Sequence, residues 1–292
     1  MAYEGVYTAL VTPFRGDAVD EGALRELVER NIAGGVSGLV PCGTTGESVT
    51  LHGDEPGRVM RIVVEQAKKR VPVIAGTGTV STRHTVELSR VAKEAGADGL
   101  LLVCPYYNRP TQAGLEAHFR HVLKEVPMPA VLYNIPGRTG VDLAVETLEA
   151  LADVKEIVAI KEATGNVIRA QDILARFGSR FAVLSGDDSL TLPMLAVGGS
   201  GVISVTSNVF PAQVSGVTAA WSAGDVKGAR ERHLALVPVH NAMFLESNPG
   251  PVKYAMSLGG HIAPEIRLPL VWPKEATQER LRAVMGSAGL TP

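Results

Sequence analysis

Short runs of Val, Ile and Leu recur eight times along the chain, each closed by a Gly, Pro or hydroxyl-rich loop and followed by a charged stretch of helical length. They fall at residues 6–11, 38–42, 71–75, 99–104, 130–133, 157–160, 181–184 and 202–205. Between them, segments such as 20–33, 54–70 and 82–94 set apolar residues three and four apart with charge on the other face. Strand therefore alternates with amphipathic helix. Near-continuous apolar strands imply a parallel sheet covered on its outer face, and eight such units in about 210 residues predict an α/β fold, a (β/α)8 TIM barrel with a C-terminal helical extension. The segments GGVSGLV at 34–40, AGADGLL at 95–101 and GGSGVI at 198–203 each put a Gly-rich helix stop directly before a strand. A doubly wound open sheet is the rival fold, but the dinucleotide fingerprint that favours it is missing, because GTGTVS at 76–81 lacks the third glycine. From about Asp225 the pattern is helical without further strands and ends in a helix over 275–285. The expected organisation is a catalytic barrel over residues 1–224 and a helical region over 225–292 packed on it, with no linker between them.

Composition narrows the partners. The 292 residues are 46% hydrophobic and 20% charged, which is ordinary globular usage. A net charge of −2, from 28 basic and 30 acidic residues, leaves no footprint for nucleic acid or an anionic membrane, so small molecules or copies of the chain itself are the expected partners. The start, MAYEGVYTALVTPF, holds an acid and no base before Arg15, unlike a signal peptide, and a cytoplasmic protein is expected. Cys42 and Cys104 each lie in an apolar run, which suits buried free thiols rather than a disulfide.

In a barrel of this kind the active site collects at the carboxyl ends of the strands. Those ends carry hydroxyls, exposed amides and one amine. Of nine lysines, eight read as loop or amphipathic-helix residues, whereas Lys161 follows directly on the apolar run Val158-Ala159-Ile160. Desolvation there favours the neutral amine, which attacks ketones. The alternative for Lys161 is to reach solvent or pair with Glu162. Gly43-Thr44-Thr45-Gly46 is a Gly-flanked turn whose amides and hydroxyls suit a carboxylate. Tyr133 ends the strand beside the lysine's and can pass protons to and from a carbinolamine, or else simply pack with its hydroxyl on a carbonyl. Metal-dependent aldol chemistry is disfavoured, since the seven histidines fall singly or on helices, with His118 and His121 three apart on what reads as a polar face. No metal or other cofactor is expected. The nucleophile elbow and the nucleotide phosphate loop also fail on spacing.

Over nearly its whole length the chain resembles the class I aldolases of the dihydrodipicolinate synthase and N-acetylneuraminate lyase group. The resemblance rests on GTTGES at 43–48, PYYNRP at 105–110, YNIPGRTG at 133–140, IKEATG at 160–165, LSGDD at 184–188, GVISVTSN at 201–208 and NPGPVK at 248–253, in family order and spacing. It implies a lyase in which Lys161 forms a Schiff base with pyruvate and Tyr133 moves the protons. Thr44 links Tyr133 to Tyr107, which comes from the neighbouring subunit of a tight dimer within a tetramer of two dimers. Thr45 and Ile203 hold pyruvate through backbone contacts, and Gly186 lies on the same wall. Arg138 stands where the synthases carry the arginine for the carboxylate of L-aspartate 4-semialdehyde. The implied product is 4-hydroxy-tetrahydrodipicolinate, on the route to diaminopimelate and lysine.

Two other readings are kept beside it: an aldolase of the same family acting on another aldehyde, a sugar acid or hydroxy-oxo-acid, and a non-catalytic keto-acid sensor, which is expected to lose the lysine or the tyrosine. The resemblance also bears on regulation. Lysine-inhibited relatives carry histidines where this chain has Gly53 and Pro56, an asparagine where it has Val80 and a glutamate where it has His84; Ser48 and Tyr106 are retained and His52 lies one residue away. Loss of an acidic partner for the lysine ammonium implies weak or absent feedback inhibition.

Overall fold

The structure is a computed structural model that describes residues 3–292. In chain order the elements begin with β1 (Gly5–Ala9), the two-residue strands β2 (Phe14–Arg15) and β3 (Ala18–Val19), α1 (Glu21–Ala33), β4 (Gly38–Val40), α2 (Glu55–Ala67), β5 (Ile74–Gly76) and α3 (Thr82–Glu94). There follow β6 (Gly99–Val103), α4 (Gln112–Glu125), β7 (Ala130–Asn134), the single turn α5 (Pro136–Thr139), α6 (Val145–Ala150), β8 (Ile157–Glu162) and α7 (Val167–Phe177). The chain ends with β9 (Ala182–Ser185), α8 (Thr191–Ala196), β10 (Gly201–Ser204), α9 (Pro211–Ser222), α10 (Val226–Ala242), α11 (Gly250–Leu258) and α12 (Glu275–Ser287).

Eight parallel strands run in the order β4-β1-β10-β9-β8-β7-β6-β5. The two end strands meet through a bridge from Leu39 to Val73, so the sheet closes on itself as the expected (β/α)8 barrel. Each predicted apolar run yields one barrel strand. The β2–β3 hairpin was not anticipated: its strands are too short to show a period. The helices start where side-chain acceptors stand ready, with Asp20, Ser81, Thr111 and Asn166 capping α1, α3, α4 and α7.

Alternation along each strand sorts the apolar residues into two cores. Tyr7, Ala9, Val40, Ile74, Leu101, Val131, Ala159, Leu184 and Ile203 fill the barrel, while Val6, Leu39, Leu102, Leu132, Ile160, Val183 and Val202 face the helices. Gly38 is required by this interior, because a Cβ there meets the Tyr7 ring at 2.3 Å. Cys42 and Cys104 are buried free thiols, and burial pushes both up to about 12.

The region after residue 225 is helical among the described residues, with α10 packed on α9 and α12 against α10 and α11. No helix among the described residues is long and apolar enough to cross a membrane.

Candidate active site

The strand period decides where the chemistry points. Lys161 is two residues beyond the inward Ala159 on β8, so its side chain enters the barrel, whereas Glu162 turns outward. Tyr133 sits opposite Lys161 in the β7–β8 register and also faces inward. Their pairing brings the Lys161 Nζ over the Tyr133 ring, 4.1 Å from its centroid. Both are 5% exposed. Burial lowers the Lys161 ammonium to about 7, the charge of Asp188 opposing and that of Arg138 assisting. The Tyr133 phenol is pushed up to about 12 by burial, against the pull of Arg138 and a hydrogen bond with the Thr44 hydroxyl.

The Glu162 alternative for Lys161 is thereby removed. The Glu162 carboxylate accepts from Arg169 Nε at 2.9 Å, from the Thr164 amide and from Asn134, outside the barrel. One other lysine departs from the expected pattern. Lys253, read as one of eight ordinary lysines, is fully buried and ion-paired to the equally buried Glu47, with its Nζ 4.3 Å from the Phe14 ring centroid. Sequence alone does not show this, because Glu47 lies 206 residues away. His118 is corrected too: it is buried on α4, beside Phe119 and bonded to the Thr82 hydroxyl at 2.9 Å, rather than on a polar face.

A cavity of about 200 Å³ opens at the strand ends, with Gly43, Thr44, Tyr106, Tyr133, Ile135 and Arg138 on its wall. Lys161 lies against the ring of Tyr133, which is on that wall. Gly186 adjoins it: a Cβ there meets the lysine Cε at 3.1 Å and the Ala163 Cβ at 2.5 Å, so the bare backbone leaves room for the lysine chain. Ile203 is buried inside the barrel on β10. Thr45 is buried, and its Oγ1 accepts from Asn248 Nδ2 at 3.0 Å. Arg138 is exposed on α5, and its guanidinium reaches the Asn248 carbonyl at 3.4 Å. Tyr107 is not brought in. It is 92% exposed with φ +71°, outside this chain's cavity.

Sequence reasoning missed two contributors. Asn248 belongs to the NPGPVK motif, yet only the structure shows it bridging Thr45 and Arg138 while its own Oδ1 has no partner among the described residues. The Glu47–Lys253 pair fixes the far end of the Gly43 turn, with Glu47 held at φ +54° and its second oxygen taking the Arg267 amide at 3.0 Å. A second cavity of about 430 Å³ adjoins the first through Ser48, Val49 and Tyr106 and is lined further by His52, Val80 and His84. Among the described residues no three His, Cys, Asp or Glu side chains gather to hold a metal ion.

The chain is 54% identical over 291 residues to the 4-hydroxy-tetrahydrodipicolinate synthase of Nitratidesulfovibrio vulgaris, covering 99% of this chain and 100% of that one. Its fold superposes with TM-score 0.96 on the synthase of Methylacidiphilum fumariolicum SolV, at 42% identity over 98% of this chain and 96% of that one. It superposes equally well, at TM-score 0.96 and 43% identity over 98% and 99% of the two chains, on the chloride-inhibited dihydrodipicolinate synthase of Acinetobacter baumannii complexed with pyruvate. Residues 2–288 match the dihydrodipicolinate synthetase family, and with the motifs from GTTGES to NPGPVK set around this mouth, the chain belongs to that family.

Proposed function

We propose that the protein is a lyase that condenses pyruvate with L-aspartate 4-semialdehyde to 4-hydroxy-tetrahydrodipicolinate, in lysine and diaminopimelate biosynthesis. The observation that carries this reading is the inward-facing Lys161, whose ammonium is lowered to about 7 and whose amine lies against Tyr133. Near neutral pH half of such a lysine is free amine, ready to attack a keto carbon. The Lys161 nitrogen adds to C2 of pyruvate, and Tyr133 supplies the proton with which the carbinolamine oxygen leaves as water. The iminium then loses a methyl proton to give an enamine, whose carbon attacks the aldehyde of the second substrate. The new alkoxide takes up a proton, and the amino group of that substrate displaces Lys161 as the ring closes.

Thr44, hydrogen-bonded to Tyr133, continues the proton path toward a Tyr107 supplied by a neighbouring subunit. A tyrosine left 92% exposed supports a dimer that covers it, and a tetramer of two such dimers is the assembly we assign. Thr45, Gly186 and Ile203 hold pyruvate, and the Arg138 fork takes the carboxylate of the semialdehyde. The functional division we draw is a barrel over 1–224 that performs the chemistry and a helical region over 225–292 that braces it. A cytoplasmic location accords with the free thiols of Cys42 and Cys104. The second cavity, with His84 and Val80 on its wall, suits the lysine ammonium poorly, and we propose weak or absent feedback inhibition.

Borohydride reduction in the presence of pyruvate, followed by mass spectrometry of peptides, tests the mechanism. One reduced pyruvyl group per chain on Lys161 is expected. Label on another lysine, or none, overturns it.

A further inference from the structure

Lys161 pairs with Leu184 on β9 and a Cβ on Gly186 would meet its Cε at 3.1 Å, and directly after these β9 residues lies a buried polar cluster that the proposed reaction leaves unused. Asp188, 1% exposed, follows β9, and its carboxylate accepts from the Ser204 hydroxyl, from the Val205 amide at 2.8 Å and from the Thr206 amide at 3.2 Å. The same Ser204 oxygen takes the Ser207 amide at 2.9 Å, and Ser207 reaches Thr8 on β1 at 2.8 Å. One carboxylate thus binds β9 to the turn that follows Ile203, beside the seam where β10 pairs with β1. From the other side α10 brings two buried histidines, His240 bonded through Nδ1 to the Thr206 hydroxyl at 2.9 Å and His233 with its ring 6.1 Å from that of His240.

We propose that Asp188 is a positioning residue for the Schiff-base chemistry: its carboxylate fixes the turn behind Ile203 and holds one fixed negative charge toward the Lys161 nitrogen through each step. The proposal deepens the lyase reading and rests on it. Three donors on one buried carboxylate make a rigid anchor, since each group left unpaired there costs its full desolvation. When the carbinolamine loses water the lysine nitrogen becomes a cation in a dry barrel, and a buried anion already held in place nearby stabilises that charge without rearrangement. The groups that bear on these two residues are few. Arg138 and the Tyr133 ring act on Lys161, and His233, His240 and the neighbouring Asp187 surround Asp188. Burial drives both histidines down from their ordinary value, toward the uncharged form that does not offset the carboxylate.

Asp188→Asn is the informative variant. Its oxygen can still take the two amides while its NH2 donates to Ser204, so the anchor persists without the charge. Borohydride trapping of pyruvate on Lys161 is followed from about pH 5 to 9 in the full chain, wild type and variant side by side. Removing the anion leaves the ammonium less stabilised, so the acid limb moves about one pH unit or more to lower pH, and plateau labelling slows about tenfold as the cation loses its partner. Ser204→Ala, which keeps the charge, leaves the limb in place. A limb that stays put in Asp188→Asn while Lys161 is labelled overturns the proposal and spares the lyase reading. A wild type without label removes both. Should Asp188→Asn fail to fold by circular dichroism, Asp188→Ser, which keeps one acceptor without the charge, is read the same way.

Discussion

Replacing Lys161 by methionine should abolish trapping of pyruvate and at the same time make the fold more stable. The magnitude follows from burial. A lysine at 10.5 in the unfolded chain and at about 7 in the folded one binds fewer protons when folded, so its contribution to stability falls as pH drops from 10.5 toward 7. The gap corresponds to about 5 kcal/mol below pH 7 and about 4 kcal/mol at pH 7, at about 1.4 kcal/mol per pH unit. Methionine has similar length, no charge to desolvate and a sulfur able to rest on the Tyr133 ring, which replaces part of the lost cation-π contact. The attraction to Asp188 is already within that gap, so allowing for the lost contact alone, a gain of about 2 to 4 kcal/mol at pH 7 is expected. Urea unfolding of both proteins at several pH values is the assay, since the slope with pH is diagnostic as well as the difference. Wild-type stability should rise more steeply than that of Lys161→Met between pH 7 and 10, and the two should converge above 10.5. Equal stability at pH 7 with parallel pH dependence refutes the claim that the lysine is held in a desolvated state.

Lys253→Met leaves Glu47 buried without its partner and should cost about 3 to 5 kcal/mol, read from the urea midpoint, while adding Glu47→Leu should return much of the loss. Arg138→Ala should lower kcat/KM for aspartate semialdehyde about ten- to a hundredfold, the worth of one charge-assisted contact, and impair pyruvate trapping far less; equal damage to both steps would make Arg138 structural. L-Lysine should inhibit only weakly, and half-inhibition below about 1 mM near neutral pH, an affinity of about −4 kcal/mol or tighter, would show that the second cavity binds it in another way.

What the sequence made legible is what local periodicity controls. Eight apolar runs announced eight strands, and the ends of adjacent strands put Lys161 and Tyr133 at one mouth, while their facing inward together is the structure's addition. What stayed hidden depends on contacts between distant segments. Lys253 sits in a short helix with an ordinary pattern, and only its approach to Glu47 reveals a buried ion pair. Asp188 reads as a loop aspartate until three donors from the following strand and turn converge on it. His118 looks solvated by spacing alone, because nothing in α4 announces that α3 brings Thr82 against it. Tyr107 is the converse, legible as a motif residue yet lying outside the cavity of its own chain.

The grip of Lys253 on Glu47 has a consequence for how the enzyme is made. The loop that carries Thr44 and Thr45 is synthesised more than 200 residues before the residues that lock it, Asn248, Lys253 and Arg267. Closing contacts across more than 200 residues come late in folding as well, since local helices and neighbouring strands form before such distant pairs. A chain released before that segment, even one that already contains Lys161, Tyr133 and all eight strands, therefore lacks the lock on its Thr44–Thr45 turn and leaves Glu47 without its cation. Chains that stop before this segment carry Lys161 without the contacts that lock the Thr44–Thr45 turn, so activity is expected to set in only once residues 248–267 have been made.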